Sequence, residues 1–320
     1  MKIFITGSSG FIGNHLCTKL LDSSYEVLAP IRNQKTFKNK ISKNLKFIKE
    51  DNFEFTKDYL KSLENIDCLI HCAGRSHIMK ETDRNSLNMY RKVNLEKTSI
   101  LAELAAKMGV KRFIFLSSIK VNGELTKENE SFKFDDKVNP LDFYSISKFE
   151  AEEALKEISQ KTGLEVVILR LPLVYGPGVK GNFLRLLNLI NRGIPLPFDK
   201  INNSRSLVGL SNLLDLISHC INNPNAAGNT FLVSDDEDIS TNDLINKISY
   251  AMGKPSKLFF FPKTLFIFAS KLIGKSLEAE RLVGSLKLDI SHTKKILNWK
   301  PSFTIDNEIE KTVNWYLKNK

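Results

Sequence analysis

The chain opens with a short apolar run, Lys2–Thr6, that passes at once into Thr6-Gly7-Ser8-Ser9-Gly10-Phe11-Ile12-Gly13 and then into an amphipathic pattern over Ile12–Leu21. No other feature narrows the possible folds as much. Glycines at three-residue spacing allow a tight turn, a close approach of backbone to a pyrophosphate, and close packing of a helix on a strand. A helix that starts inside such a turn points its unbonded N–H groups at phosphate oxygens. The turn therefore predicts a strand, a dinucleotide-phosphate loop made of Gly7, Gly10, Phe11, Ile12 and Gly13, and a helix.

The rest of the first half repeats the strand-then-helix texture. Further apolar runs lie at Glu26–Pro30, Lys46–Lys49, Cys68–His71, Arg112–Ser117 and Glu165–Arg170, and helical spacing at Leu87–Met108 and Ser145–Lys161. Strands that are apolar throughout and alternate with helices imply a parallel sheet covered on both faces. The expected fold class is α/β, a Rossmann-type doubly wound parallel sheet followed by a smaller, mostly helical substrate domain. After Arg170 the segment Leu171–Pro197 is rich in Pro and Gly, which puts the expected boundary at 1–171 and 172–320. The apolar run Asn229–Ser234 suggests that residues around 204–234 return to the first domain.

The net charge of +11 comes from lysines spread along the chain, without an arginine-rich block or aromatic residues interleaved with a basic stripe. That pattern reads as a solvated basic surface rather than as a site for a nucleic-acid or anionic-membrane partner, and a phosphate-bearing substrate would also benefit from this field. The four cysteines, Cys17, Cys68, Cys72 and Cys220, form no CxxC pair, which argues for a reducing cytoplasm and against a metal site. Met1 leads straight into the first strand, so no secretory signal is expected. The most apolar stretch, Leu258 to Gly274, is interrupted by Pro262, Lys263 and Lys271; it is too short and too charged to span a bilayer and reads as a core or interfacial helix.

Tyr144 and Lys148 form a YxxxK pair at the start of a helical pattern, one turn apart on one face. A free phenol has a pKa near ~10, about three units too high for a base at neutral pH, and a neighbouring ammonium favours its phenolate. Ser117-Ser118 ends the fifth apolar run and can supply a hydroxyl that holds a substrate oxygen. The chain order is glycine turn, serine at the end of a later strand, then YxxxK opening the next helix. It points to proton exchange at a substrate hydroxyl coupled to hydride transfer.

With GxxGxxG at the N-terminus, Ser118, Tyr144 and Lys148 in order, and Leu297-Asn298-Trp299-Lys300-Pro301 near the C-terminus, the chain resembles the extended short-chain dehydrogenase/reductase family over nearly its whole length. The resemblance implies a catalytic set of Ser118, Tyr144 and Lys148 and an NAD(P)(H) cofactor, with no metal. Further cofactor contacts follow from it: Asp51 and Asn52 after the third strand, Cys72, Ala73 and Gly74 in the fourth strand's turn, Asn94 beneath the active site, and Leu171. At the end of the second strand the family's ribose-binding carboxylate is replaced by Ile31, with Arg32 next. Arg32 can pair with a 2′-phosphate, which leans toward NADP, or it can be a surface residue.

The reaction is narrower than the family. Dehydratases of this family carry Asp-Glu directly after the catalytic Ser or Thr, and this chain has Ile119-Lys120, which cannot do that acid–base work. The segments Ser117–Glu124, Pro172–Phe183 and Arg205–Val208 resemble bacterial enzymes called UDP-glucose 4-epimerase-like, among them 4-reductases that produce UDP-N-acetylquinovosamine. That branch implies a UDP-4-keto-6-deoxy-N-acetylhexosamine reductase of surface polysaccharide biosynthesis. The alternative is a UDP-hexose or UDP-N-acetylhexosamine 4-epimerase, against which stands Leu173, where the family places an asparagine. Candidate substrate contacts are Arg205 and Arg281 for the diphosphate, Asn182 and Phe183 closing over it, and Arg75, His77, Ser118 and Lys120 around the sugar. The family often dimerises through helices equivalent to Leu87–Met108 and Ser145–Lys161. A non-catalytic Rossmann-type binding or sensor protein is the competing class, and such proteins commonly lose the tyrosine or lysine that this chain keeps.

Overall fold

The computed structural model describes residues 1–33, 37, 42–50, 57–76, 85–272, 274 and 276–320. The first half runs β1 (Lys2–Thr6), α1 (Phe11–Asp22), β2 (Glu26–Ile31), β3 (Leu45–Lys49), α2 (Lys57–Lys61), β4 (Cys68–His71), α3 (Asn85–Arg91), α4 (Lys97–Lys107), β5 (Arg112–Ser118), α5 (Phe143–Thr162) and β6 (Glu165–Leu171). The second half runs β7 (Leu173–Tyr175), α6 (Gly181–Asn191), β8 (Leu196–Asp199), β9 (Arg205–Gly209), α7 (Leu210–Asn222), β10 (Thr230–Leu232) and β11 (Asp238–Ile239). It ends with α8 (Thr241–Ala251), β12 (Leu258–Phe260), α9 (Lys263–Leu272), α10 (Ser276–Val283), α11 (Ser291–Leu297) and α12 (Ile305–Lys318).

Seven strands form one parallel sheet in the order β3-β2-β1-β4-β5-β6-β10. Their side chains are apolar on both faces because both faces are covered. Leu16, Leu20, Leu213, Leu216 and Ile217 of α1 and α7 pack on one face. Leu101, Ala105, Leu155 and Ile158 of α4 and α5 pack on the other. The chain winds outward from β1 to β3, then crosses to β4 on the far side of β1. The crevice at that reversal, beyond the carboxyl ends of the strands, is where this topology receives a ligand.

After its first half the chain adds one more strand to the sheet. β9 leads into α7, and β10 adds beside β6 in the register Phe231↔Leu169. Arg112 of β5 fixes the end of α7: its guanidinium donates to the carbonyls of Cys220, Ile221 and Asn223 at 2.7, 2.9 and 2.9 Å, taking up acceptors the helix leaves unbonded. The remaining segments build a second core of Tyr175, Phe183, Leu187, Ile190, Ile245, Ile248, Ile309 and Val313, contributed mainly by α6, α8 and α12. Two small sheets, β11-β9-β7 and β12-β8, border it.

Two features depart from simple periodicity. The helical run expected over Leu87–Met108 is interrupted: a single wide π turn, Lys92–Glu96, separates α3 from α4. Such turns insert one residue into the helix and commonly sit at functional sites, and this one carries Asn94. The stretch Leu258 to Gly274 packs Leu258, Phe266 and Ile267 on the second core and leaves many of its other large apolar side chains exposed.

The interior also holds an ion pair. Arg170 of β6 meets Glu152 of α5 at 2.7 Å with both side chains inaccessible, and the Glu152 carboxylate also accepts from the Ser117 hydroxyl of β5. The second arm of Arg170 donates to Asn122 at 2.9 Å, in the loop after β5. Helix α5 is thereby fixed against two strands at once. Glu152→Ala strands the guanidinium and is expected to cost about 3–5 kcal/mol in urea unfolding, whereas Glu152→Met with Arg170→Met recovers most of that loss. Equal losses in the single and double variants would overturn the pairing.

Candidate active site

The glycine turn closes as its spacing requires. Gly7 has φ +67, and a Cβ there would stand 2.8 Å from the Ala73 nitrogen; a Cβ on Gly13 would stand 2.3 Å from the Gly7 carbonyl oxygen. The turn after β1 is thus pressed on the turn after β4 and on the first coil of α1, leaving room for no side chain. Gly10 caps α1 without a side-chain hydrogen bond, and no acidic residue stands in the first turn. The opening N–H groups, those of Phe11, Ile12 and Gly13, have no helical acceptors. This bare, positively polarised helix end fits the pyrophosphate of a dinucleotide. Behind it, the Thr6 hydroxyl takes a hydrogen bond from Ala73 N at 3.3 Å and meets His71 Nδ1 at 2.6 Å, while His71 Nε2 meets Thr98 at 3.0 Å. Burial first, and then the nearby Lys148 ammonium, push the imidazole down to about 3, so it stays neutral.

Ser118 ends β5, and Tyr144 stands in the first turn of α5. Asp142 starts that helix as a capping box: its carboxylate accepts from Ser145 N at 2.7 Å, and the Ser145 hydroxyl takes up Asp142 N at 3.1 Å. Ser118 hydrogen-bonds the Tyr144 phenol. One turn on, Lys148 is buried, donates to the Leu116 carbonyl at 2.8 Å and lies 4.3 Å from the Phe115 ring centroid. Serine, tyrosine and lysine, distant in sequence, therefore meet at the carboxyl end of β5.

The electrostatics differ from the expectation that an ammonium makes this phenol acidic. Burial pushes Tyr144 up to about 12, Asp142 and Tyr90 add to the rise, and the hydrogen bond from Ser118 opposes it. Desolvation instead pulls Lys148 itself down to about 8, against the opposing fields of Glu152 and Cys72. Within the chain's own field the phenol is protonated at neutral pH.

The π turn organises the floor of this site. Asn94 Oδ1 accepts from Arg75 N at 2.8 Å; its Nδ2 donates to Arg75 O at 3.1 Å and to Ser147 Oγ at 3.0 Å, and Ser147 in turn donates to the Tyr144 carbonyl at 2.8 Å. One amide thus ties the loop after β4 to the catalytic helix. A Cβ on Gly74 would come within 3.3 Å of Lys148 Nζ and 3.4 Å of Asn94 Oδ1, so the turn after β4 is packed against this group. Ser147 and Asp142 were absent from the sequence reading. The Asp142…Ser145 spacing was a legible cap signal, whereas nothing in the pattern marks the π turn.

The expected substrate residues fall into three arrangements. Lys120 is paired with Asp142 and lies 3.4 Å from Glu124; Arg281 is paired with Glu124 and lies 3.7 Å from Asp142. These four charges join the loop after β5, the cap of α5, and α10. Arg205 is anchored by donating to the carbonyls of Arg281 and Gly284, and burial together with the Arg281 charge pulls it down to about 10. Arg75 sits 5.6 Å from the Tyr90 ring centroid, which itself meets Tyr144 edge-on. Phe183 stacks on Tyr175 inside the second core, leaving its backbone and the exposed Asn182 at the start of α6 for any ligand. Arg32 is exposed directly after β2, and Leu171 is buried opposite Ser118. Asp51, Asn52 and His77 lie outside the described residues.

Residues 3–234 match the NAD dependent epimerase/dehydratase family. A UDP-glucose 4-epimerase of Vibrio cholerae is 42% identical over 320 residues, spanning 99% of this chain and 96% of that protein. Among solved structures, UDP-glucuronic acid 4-epimerase from Bacillus cereus in complex with UDP-glucuronic acid and NAD has a TM-score of 0.81 at 23% identity, covering 100% of both chains. UDP-glucose 4-epimerase from Thermotoga maritima with UDP-glucose gives 0.79 at 21%, covering 100% of this chain and 99% of that one. At these identities the structures establish a shared fold.

Because Lys148 binds its proton less tightly when folded than when unfolded, its burial penalty is full below pH 8 and disappears above the ordinary lysine range near ~10.4. Lys148→Met is therefore expected to gain stability over the parent at pH 7, by about 1–3 kcal/mol, and to lose that advantage as the pH approaches ~10.5. Urea unfolding at both pH values measures it; a difference that does not change with pH would contradict the assignment.

Proposed function

Because this chain belongs to the NAD dependent epimerase/dehydratase family, we propose that it is an NAD(P)-dependent enzyme acting at C4 of a UDP-sugar. Its reaction is the reduction of a UDP-4-keto-6-deoxy-N-acetylhexosamine to UDP-N-acetylquinovosamine, a step of surface polysaccharide biosynthesis. The observation that carries this reading is the meeting of Ser118, Tyr144 and Lys148 at the carboxyl end of β5, with Ser118 hydrogen-bonded to the Tyr144 phenol. A neutral phenol is the form that gives a proton to a ketone oxygen.

In that reaction the Tyr144 hydroxyl protonates the C4 oxygen while Ser118 hydrogen-bonds the same oxygen, and C4 passes from ketone to secondary alcohol. When bound, the reduced nicotinamide supplies the hydride that C4 gains. Lys148, held between the Leu116 carbonyl and the Phe115 ring, keeps a positive charge at the base of the site. Gly7, Gly10, Phe11, Ile12 and Gly13 hold the pyrophosphate, and Cys72, Ala73, Gly74, Asn94 and Leu171 lie along the cofactor. Arg32 is the residue that would select a 2′-phosphate. Arg205, with Arg281 beside it, takes the substrate diphosphate, and Arg75 and Lys120 border the sugar. Leu173, exposed at the start of β7, offers an apolar surface suited to the methyl group of a 6-deoxy sugar.

In this reading residues 1–171 with the returning β9–β10 segment bind the cofactor, and the rest of 172–320 binds the nucleotide sugar. Exposed Met89 and Ile100 on α3 and α4 support a homodimer through that helix face.

A second reading, a UDP-hexose or UDP-N-acetylhexosamine 4-epimerase, is supported by the name of the Vibrio cholerae relative and uses the same three residues. Incubation with the 4-keto sugar and NADH or NADPH is expected to consume reduced cofactor stoichiometrically, faster with NADPH. Interconversion of C4 epimers of UDP-N-acetylglucosamine without added reductant would replace the reductase with the epimerase. Tyr144→Phe is expected to lower turnover by about a hundredfold or more while cofactor affinity stays nearly unchanged; retained turnover would remove the phenol from the chemistry.

A further inference from the structure

Helix α9 is apolar on two opposite sides. Phe266 and Ile267 turn inward onto the second core, where Phe266 meets Phe198 edge-on at 5.5 Å, and Ser270 is buried on the same side. Leu265, Phe268 and Leu272, at i, i+3 and i+7, form a stripe on the other side. They are exposed, as are Phe259 and Phe260 on β12 just before the helix, and the five are between 45% and 75% accessible. One side of α9 is spent on the protein's own core, and the second has no such use. Large apolar side chains exposed together mark a binding surface.

The charges along this segment are predominantly basic. From Lys254 to Leu277 the sequence carries five lysines and no acidic residue. Lys257, Lys263 and Lys271 are exposed. The nearest acid in register is Asp199, opposite Phe260 on β8, and it is followed by Lys200, whose Nζ lies 5.9 Å from the Phe260 ring centroid. Lys254 is spent elsewhere, on Asn191. Among the described residues no helix is long and apolar enough to cross a membrane, so a helix of this kind would lie on a surface.

From these observations we propose that α9 and β12 form a docking surface for an anionic phospholipid bilayer. Phe259, Phe260, Leu265, Phe268 and Leu272 enter the interface, while Lys257, Lys263, Lys271 and Lys200 meet lipid phosphates. Aromatic and aliphatic side chains gain by leaving water for the acyl boundary, and lysines at the rim gain from the negative potential of the headgroups. A face built for a protein partner or a second copy of this chain has no need of a predominantly basic rim, since it would oppose its own charges across a twofold axis. The inference does not rest on the proposed reaction.

Co-sedimentation of the full chain with vesicles tests it. Phosphatidylcholine vesicles containing about 30 mol% phosphatidylglycerol are expected to bind the chain at least about tenfold better than phosphatidylcholine alone, with the preference weakening as salt rises. Phe260→Ser, Phe268→Ser and Leu272→Ser together, and separately Lys257→Glu, Lys263→Glu and Lys271→Glu together, should each lower partition by about tenfold or more. Both variants keep the parent's thermal midpoint and hydride activity, because all six side chains are exposed. Absence of binding, equal binding to both vesicle types, or full binding by either variant would overturn the proposal. So would sedimentation showing that the serine variant merely converts a dimer to a monomer, which assigns the face to a second copy.

Discussion

The site depends on a charge pair placed where no water reaches it. Glu152 and Arg170 hold α5 against β6, and the same carboxylate takes the Ser117 hydroxyl of β5. Ser118 is the last residue of β5, next to Ser117, and Tyr144 and Lys148 precede Glu152 by two turns and one turn on the same helix. The relative position of the three groups is therefore set by one carboxylate. Such a pair adds little net stability over an apolar replacement, because desolvation offsets the attraction. What it contributes is direction: a slide of α5 along the sheet would strand both charges, whereas a purely apolar contact would tolerate it.

Around this anchor the electrostatics are arranged by burial more than by pairing. Desolvation raises the phenol of Tyr144, lowers the ammonium of Lys148 and keeps His71 neutral. At the mouth the pattern reverses: Lys120, Glu124, Asp142 and Arg281 are cross-paired, and Arg205 lies close enough to Arg281 for the two to repel. Asp142 belongs both to that network and to the cap of the catalytic helix. Asp142 thus links the ion-pair network to the helix turn that presents Tyr144.

The second core imposes a different economy. α6, α8 and α12 cover themselves with one apolar side each, whereas α9 packs one apolar side on Phe198 and its neighbours and leaves a second in water. A surface helix of that type is stable because the inner contacts hold it in place. Its outer stripe costs solvation, and a surface that removes the stripe from water recovers that cost.

Much of the architecture was legible before any coordinates. The period of the apolar runs, together with Gly7, Gly10 and Gly13, determined the strand–helix alternation, the parallel sheet and the loop between β1 and α1, since only glycine fits where a Cβ would meet backbone. The spacing of Tyr144 and Lys148 placed both on one face of a helix, because that follows from helical pitch alone. What the chain order left open was decided by packing. The π turn carries Asn94, whose one amide reaches both Arg75 and Ser147, and no local pattern encodes that contact. The neutral phenol and the lowered lysine come from desolvation, which is a property of what surrounds a group. The outward stripe of α9 had the same apolar composition as a core helix; only the position of Phe198 and its neighbours settled which side would be covered.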